Sequence, residues 1–120
     1  MGKGIIILRR LITTTTVQKE AGVHEEFSLD YYVLQKEVII ESHAFERFGI
    51  EICKRARRSD GTPYIEYRKI FDLFHSEAEA IEVLKQMARN SVTPISMKDI
   101  LEDMLGVTEF TGEELYVEAV

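Results

Sequence analysis

The feature that most constrains this chain is a change of hydrophobic period between Phe71 and Ser76. Before it, apolar residues alternate with polar ones, the period-two pattern of half-buried strands. After it, they recur at three- and four-residue spacing, the pattern of amphipathic helices. Strands followed by helices, rather than strict alternation of the two, specify an α+β fold. The expected architecture is an antiparallel β-meander of about four strands, then two short C-terminal helices packed on one face.

The strand signals come in order. Residues 5–18 contain Thr13–Thr14–Thr15–Thr16–Val17, all β-branched, a shape that suits a pleated surface better than a helix. Residues 19–26 are polar around Gly22 and read as a hairpin connection. In residues 27–41, Tyr32, Leu34, Val38 and Ile40 lie on one side, interrupted by Lys36, while Tyr31, Val33 and Ile39 lie on the other. Two partly apolar faces suit a strand inside the sheet. Ser42–His43–Ala44 reads as a turn. Phe48, Ile50 and Ile52 then alternate with Arg47, Gly49, Glu51 and Cys53. Gly49 inside that pattern marks a bulge or a close backbone approach. Ser59–Asp60–Gly61–Thr62–Pro63 is the clearest turn, because Asp-Gly supplies positive φ. Residues 64–71 return as the fourth strand.

Beyond the change, Ser76 and Glu79 form a capping-box pair, followed by the stripe Ile81, Leu84, Met87 and Ala88, with Asn90 as C-cap. Pro94 biases Thr93 away from helix. Ser96 is the expected cap of the second helix, with Ile95 and Ile100 as a hydrophobic staple. Ile100, Leu101, Met104 and Leu105 are its expected buried face, and Gly106 its end. Residues 1–106 thus form one α+β domain. Residues 107–120 hold four glutamates and no basic residue, and are expected as a weakly ordered acidic tail, or with Leu115–Tyr116–Val117 docked as a short extra element.

At 120 residues the chain can bury roughly two-thirds of its unfolded surface without a metal or disulfide staple. The single cysteine, Cys53, excludes an internal disulfide. The apolar run Ile5–Leu8 is stopped by Arg9 and Arg10, too short for a signal peptide or a membrane helix. Ile6 stands where a myristoylation motif needs Ser or Thr. A cytoplasmic location is therefore expected. The net charge of −6 is unevenly spread: residues 1–69 hold 12 Lys+Arg against 10 Asp+Glu, and residues 70–120 hold 3 against 11. That division makes a mildly basic sheet and a strongly acidic helical end, which keeps the chain soluble and can steer a basic partner.

Few residues carry chemistry. His24, His43 and His75 have no His or Cys at metal-ligand spacing, so no metal or cofactor is expected. Cys53 has Lys54 and Arg55 beside it but no positioned base, and reads as an inert thiol. Glu25–Glu26, Glu102–Asp103 and Glu113–Glu114 are neighbours whose side chains diverge, so they read as solvated faces. No phosphate loop, nucleophile elbow or calcium loop is present. The candidate interaction residues are Lys54, Arg55, Arg57 and Arg58, running into the Asp60–Gly61 turn, with Tyr64 beyond it. A basic hairpin can enter a nucleic-acid groove, and a tyrosine can stack on bases. Against this stands the acidic balance of the whole chain. Alternatively, an arginine makes a local cation–π contact with Tyr64. Strand 5–18 is a candidate exposed edge, guarded by Arg9, Arg10 and Lys19, or paired across a dimer axis.

Phe48–Gly49–Ile50–Glu51–Ile52 and Arg89–Asn90–Ser91–Val92–Thr93–Pro94–Ile95, with Asp99, Ile100, Glu102, Asp103 and Leu105, resemble an uncharacterised family of small proteins from clostridia and related Firmicutes. The resemblance covers roughly residues 27–105, and the Thr-Pro link is its most specific part. The chain departs from the family pattern at Phe48 and at Ser96–Met97. The resemblance implies the same boundaries and a bacterial cytoplasmic setting, and it brings no active site. The expected function is a non-enzymatic protein-interaction or regulatory module with an unidentified protein partner, without membrane association. The alternative is a small nucleic-acid binder using Lys54–Arg58.

Overall fold

A computed structural model describes residues 3–18, 26–106 and 114–119. Among these residues five strands form one open sheet in the order β1-β2-β3-β4-β5, each antiparallel to its neighbours. They are β1 (Lys3–Val17), β2 (Phe27–Ile40), β3 (His43–Arg57), β4 (Pro63–Phe74) and β5 (Glu114–Ala119). Between β4 and β5 come α1 (Glu77–Arg89) and α2 (Pro94–Leu105). The four-strand meander followed by two helices is the architecture expected from the period change.

Residues 114–119 depart from the weakly ordered tail. They pair with β4 from Tyr64 to Lys69, as a short docked element. Without them the outer edge of β4 would present unpaired amides and carbonyls, and a strand from the same chain satisfies them. Residues 107–113 lie outside the described residues, as does the 19–26 connection apart from Glu26.

Two hairpins show how local chemistry sets register. The β2–β3 loop is Glu41–Ser42, not Ser42–His43–Ala44, because Ile40 already pairs with His43. Glu41 and Ser42 both take positive φ, 49° and 69°, the twist that a two-residue antiparallel loop requires. The β3–β4 turn is the expected one. The Arg58 amide donates to the Thr62 carbonyl at 2.8 Å, Gly61 has φ +87°, and Asp60 accepts from the Thr62 amide at 2.9 Å.

Pairing between β3 and β4 shifts between Phe48/Phe74 and Ile50/Ile70, so three residues of β4 stand opposite Gly49. Asp72, in the extra stretch, takes φ 57°. A Cβ at Gly49 would lie 2.2 Å from the Ile70 carbonyl oxygen. The glycine is therefore a close backbone approach beside a bulge, and no other residue fits.

One face of the sheet carries the helices. Alternate residues Leu29, Tyr31 and Val33 of β2, Phe48, Ile50 and Ile52 of β3, and Ile70 and Phe74 of β4 are buried there. They meet Ala80, Leu84 and Met87 of α1, Val92 of the link, and Met97 and Leu101 of α2. The Tyr31 hydroxyl donates to the Val92 carbonyl at 2.9 Å and satisfies the link inside the core.

Ser76 caps α1 as expected, accepting from the Glu79 amide at 3.1 Å. In α2 the cap is Thr93 rather than Ser96. Pro94 occupies the first helical position, where its missing N–H is not needed, so the helix starts three residues earlier. Ser96 becomes the other half of a capping box, accepting from the Thr93 amide at 3.2 Å. The earlier start turns Ile95 out to 64% exposure, so the proposed staple with Ile100 does not form. It also rotates the innermost line of α2 to Pro94, Met97 and Leu101, leaving Ile100 and Leu105 on the flank and Met104 exposed. Gly106 ends α2 in the left-handed conformation, as expected.

These positions give a graded prediction. Leu84 is fully buried, so Leu84→Ala is expected to cost about 2–5 kcal/mol. Ile100 is only partly buried, so Ile100→Ala is expected to cost about 1–2 kcal/mol. Urea unfolding of both variants checks the order; equal losses would contradict the helix orientation.

Candidate interaction surfaces

The basic hairpin is divided by its own strand. Period two places Lys54 on the helix-bearing face, in register with Leu29 and Glu66, and Arg55 on the opposite face, with Ser28 and Ile65. Each cation has a local partner. Arg55 donates to Asp30 through Nε at 2.8 Å and Nη2 at 3.2 Å. Lys54 lies 4.6 Å from the Phe27 ring centre and 5.9 Å from that of Tyr64. Arg58 lies 4.9 Å over Tyr64, the local cation–π contact, and Arg57 donates to the Gly61 carbonyl at 2.9 Å. A shallow cleft of about 450 Å³ opens at this sheet end, lined by Phe27, Arg55, Arg57 and Tyr64 among others. The structure brings the five candidate residues to one end of the sheet, but it does not join their charges into one surface.

The remaining candidates stay apart. His43 opens β3 and His75 lies between β4 and α1, both exposed, while His24 lies outside the described residues. Glu102 and Asp103 stand on α2. Glu26 is exposed; Glu25 and Glu113 lie outside the described residues. Among the described residues no three His, Cys, Asp or Glu side chains approach closely enough to hold a metal ion.

The helix-free face holds a polar network that local pattern did not reveal. Glu51, only 1% exposed, accepts from Arg9 Nε at 2.7 Å and Nη2 at 2.9 Å. The same guanidinium stacks 3.5 Å over the Tyr32 ring. On the neighbouring strand and two residues along the register, Asp30 accepts from Arg55 and from the Thr14 hydroxyl at 2.8 Å. Cys53 sits between these carboxylates. Burial first, then the nearby Glu51 and Asp30 charges, push its thiol up to about 11, which keeps it protonated and unreactive.

Burial alone would raise the Asp30 carboxyl. The hydrogen bonds from Arg55 and Thr14 and the Arg55 charge outweigh it and hold the group below the usual carboxylate range. A depressed folded value stabilises the fold above the unfolded value of about 3.9, and this stability is lost as pH falls through the folded value. Asp30→Asn is therefore expected to flatten the acid limb of the stability curve below about pH 4. Urea midpoints of both proteins between neutral pH and about pH 2.5 measure it. Parallel curves would contradict this role.

The third surface is apolar. The sheet outruns its helices where β1, the last part of β2 and the first part of β3 meet. There Ile6 and Leu8 of β1 are exposed on the helix-bearing face, and Ile5, Ile7 and Leu11 of β1, with Ile40 and Phe45, on the helix-free face, all at 43–56%. β1 is also an edge: among the described residues it has a neighbouring strand on one side only. Its expected guards turn away: Arg9 reaches inward to Glu51, and Arg10 pairs with Glu77 at the start of α1. Lys19 lies outside the described residues. Period alone identified the strand, but not that its apolar half overhangs the helix layer.

These elements define a small α+β protein, an open antiparallel meander backed by a helix pair, with one apolar free edge. Residues 9–107 match a family of unknown function, DUF6514, and the chain belongs to it. No curated protein and no solved structure matches the chain. Among the described residues no helix is long and apolar enough to cross a membrane.

Proposed function

We propose that this protein is a non-enzymatic protein-interaction or regulatory module of a Firmicutes cytoplasm, and that its contact surface is the overhanging ribbon of β1 with the adjoining turn of β2 and β3. The observation that carries this reading is the exposure of seven large apolar side chains along the free edge and the adjoining turn, Ile5, Ile7, Leu11, Ile40 and Phe45 on the helix-free face and Ile6 and Leu8 on the other. Such a patch on a small domain marks a contact surface. The engagement of Arg9 by buried Glu51 and of Arg10 by Glu77 of α1 leaves the backbone of that edge open to a strand from another molecule. The basic hairpin supports a nucleic-acid reading less well, because Lys54, Arg55, Arg57 and Arg58 are each held by a local partner.

The test is photocrosslinking in cells. A photoreactive residue at Leu8 or Phe45 is expected to give discrete protein adducts. The same residue at Glu82, exposed on the far side of α1, is expected to give none. No adducts at Leu8 and Phe45, or equal labelling at Glu82, would end the proposal.

A further inference from the structure

We infer that the occupant of the apolar edge is a second copy of this chain, with β1 pairing antiparallel to β1 about a two-fold axis at Ile6. This rests on reading the ribbon as a contact surface and names its partner.

The two halves of β1 differ. Pairing with β2 shifts between Leu11 and Thr13, which leaves Ile12 as an extra residue. Such a bulge twists an edge away from a new strand. In the same half α1 lies over β1, where the Thr15 hydroxyl reaches the Ala88 carbonyl at 3.5 Å. Before the bulge the contact with α1 is at Arg10, which pairs with Glu77, and residues 4–8 lie beyond it. Residues 4–8 are Gly-Ile-Ile-Ile-Leu, without a charge or proline, and the four large residues are 48–56% exposed.

Symmetry then selects the register. Directly opposed residues of an antiparallel pair share a face. A two-fold axis between two copies of one strand must therefore pass through a residue and stand perpendicular to the sheet. With the axis at Ile6, Ile6 faces itself, Ile5 faces Ile7, and Gly4 faces Leu8. Each apolar side chain thus gains an apolar or glycine neighbour. An axis at Ile7 places Ile5 against Arg9 and Gly4 against Arg10; an axis at Ile5 places Ile7 against Lys3. The axis at Ile6 leaves only Lys3 opposite Arg9, and Arg9 is neutralised by Glu51. Two five-stranded sheets become one ten-stranded sheet, with both helix pairs on the same side and the overhanging ribbons at the centre. This strand is self-complementary, as an isologous interface demands. A seven-residue edge is smaller than the about 20–30 residues a side of a standard interface, so the expected dissociation constant is micromolar.

The experiment is sedimentation equilibrium of the full chain from about 1 to 200 μM. The apparent mass is expected to rise from 13.8 kDa toward twice that value. Ile6→Lys, which places two ammonium groups on the axis, is expected to stay monomeric with an unchanged circular dichroism spectrum. Ile6→Cys is expected to form a self-disulfide on mild oxidation, because opposed residues lie close enough to bridge. Ile5→Cys, which faces Ile7 of the other copy, is expected not to. A monomer at every concentration, a dimer untouched by Ile6→Lys, or equal cross-linking at positions 5 and 6 would overturn the inference. A monomer whose Leu8 still captures a different protein overturns the self-pairing and leaves the interaction module standing. A monomer without adducts removes both.

Discussion

Gly49→Ala is expected to unfold the protein or nearly so. A Cβ there would lie 2.2 Å from the Ile70 carbonyl oxygen and 2.8 Å from the Phe71 Cα. Both are backbone atoms of β4, so no rotamer change relieves the overlap. Either the β3–β4 pairing opens beside the bulge, or Phe48 and Ile50 leave the core they flank. Each route costs about 3–5 kcal/mol, a large share of the about 5–15 kcal/mol that holds a small domain together. In thermal unfolding the midpoint is expected to fall by about 10 °C or more. Gly61→Ala is the control. It also loses a glycine, at φ +87°, but meets open space, so it is expected to cost about 1 kcal/mol. Equal losses for the two would show that the close approach at Gly49 does not exist.

The second large effect belongs to Arg9. Removing one member of a buried ion pair leaves the other desolvated and uncompensated, which typically costs about 3–5 kcal/mol. Glu51 is buried while the Arg9 side chain is 43% exposed, so water can partly replace the guanidinium. Arg9→Met is accordingly expected to cost about 2–3 kcal/mol in urea unfolding. Adding Glu51→Leu is expected to recover most of that loss, since it removes the stranded carboxylate and fills the space. A double variant no more stable than Arg9→Met would show that the stack on Tyr32, and not the ion pair, carries the stability.

The parts of the fold legible in sequence were those set by neighbours in the chain. The change of period after Phe71 separated sheet from helices. Asp60–Gly61 placed the β3–β4 turn, Gly49 announced the bulge, and Gly106 ended α2. What was not legible depended on residues far apart. Leu115–Tyr116–Val117 becomes a strand only because β4 offers a free edge across the sheet. Pro94 made Thr93 look like a boundary outside a helix, whereas a proline in first position fits the same geometry and moves the cap three residues back. The basic cluster looked like one patch because four cations crowd five positions. Pleating divided them, and Asp30, 25 residues from Arg55, took one of them. The pairing of Arg9 with Glu51 spans 42 residues, so the guard expected on the edge was in fact committed to the interior.

Hydrogen exchange of the Gly4–Arg10 segment in the full chain, compared at about 2 and about 200 μM, tests most directly whether the apolar half of β1 is a contact edge closed by a second copy. The predicted result is a concentration-dependent slowing confined to the outward-pointing amides of that segment, while Leu29–Leu34 in the core stays protected at both concentrations. Equally fast exchange of Gly4–Arg10 at both concentrations would contradict it.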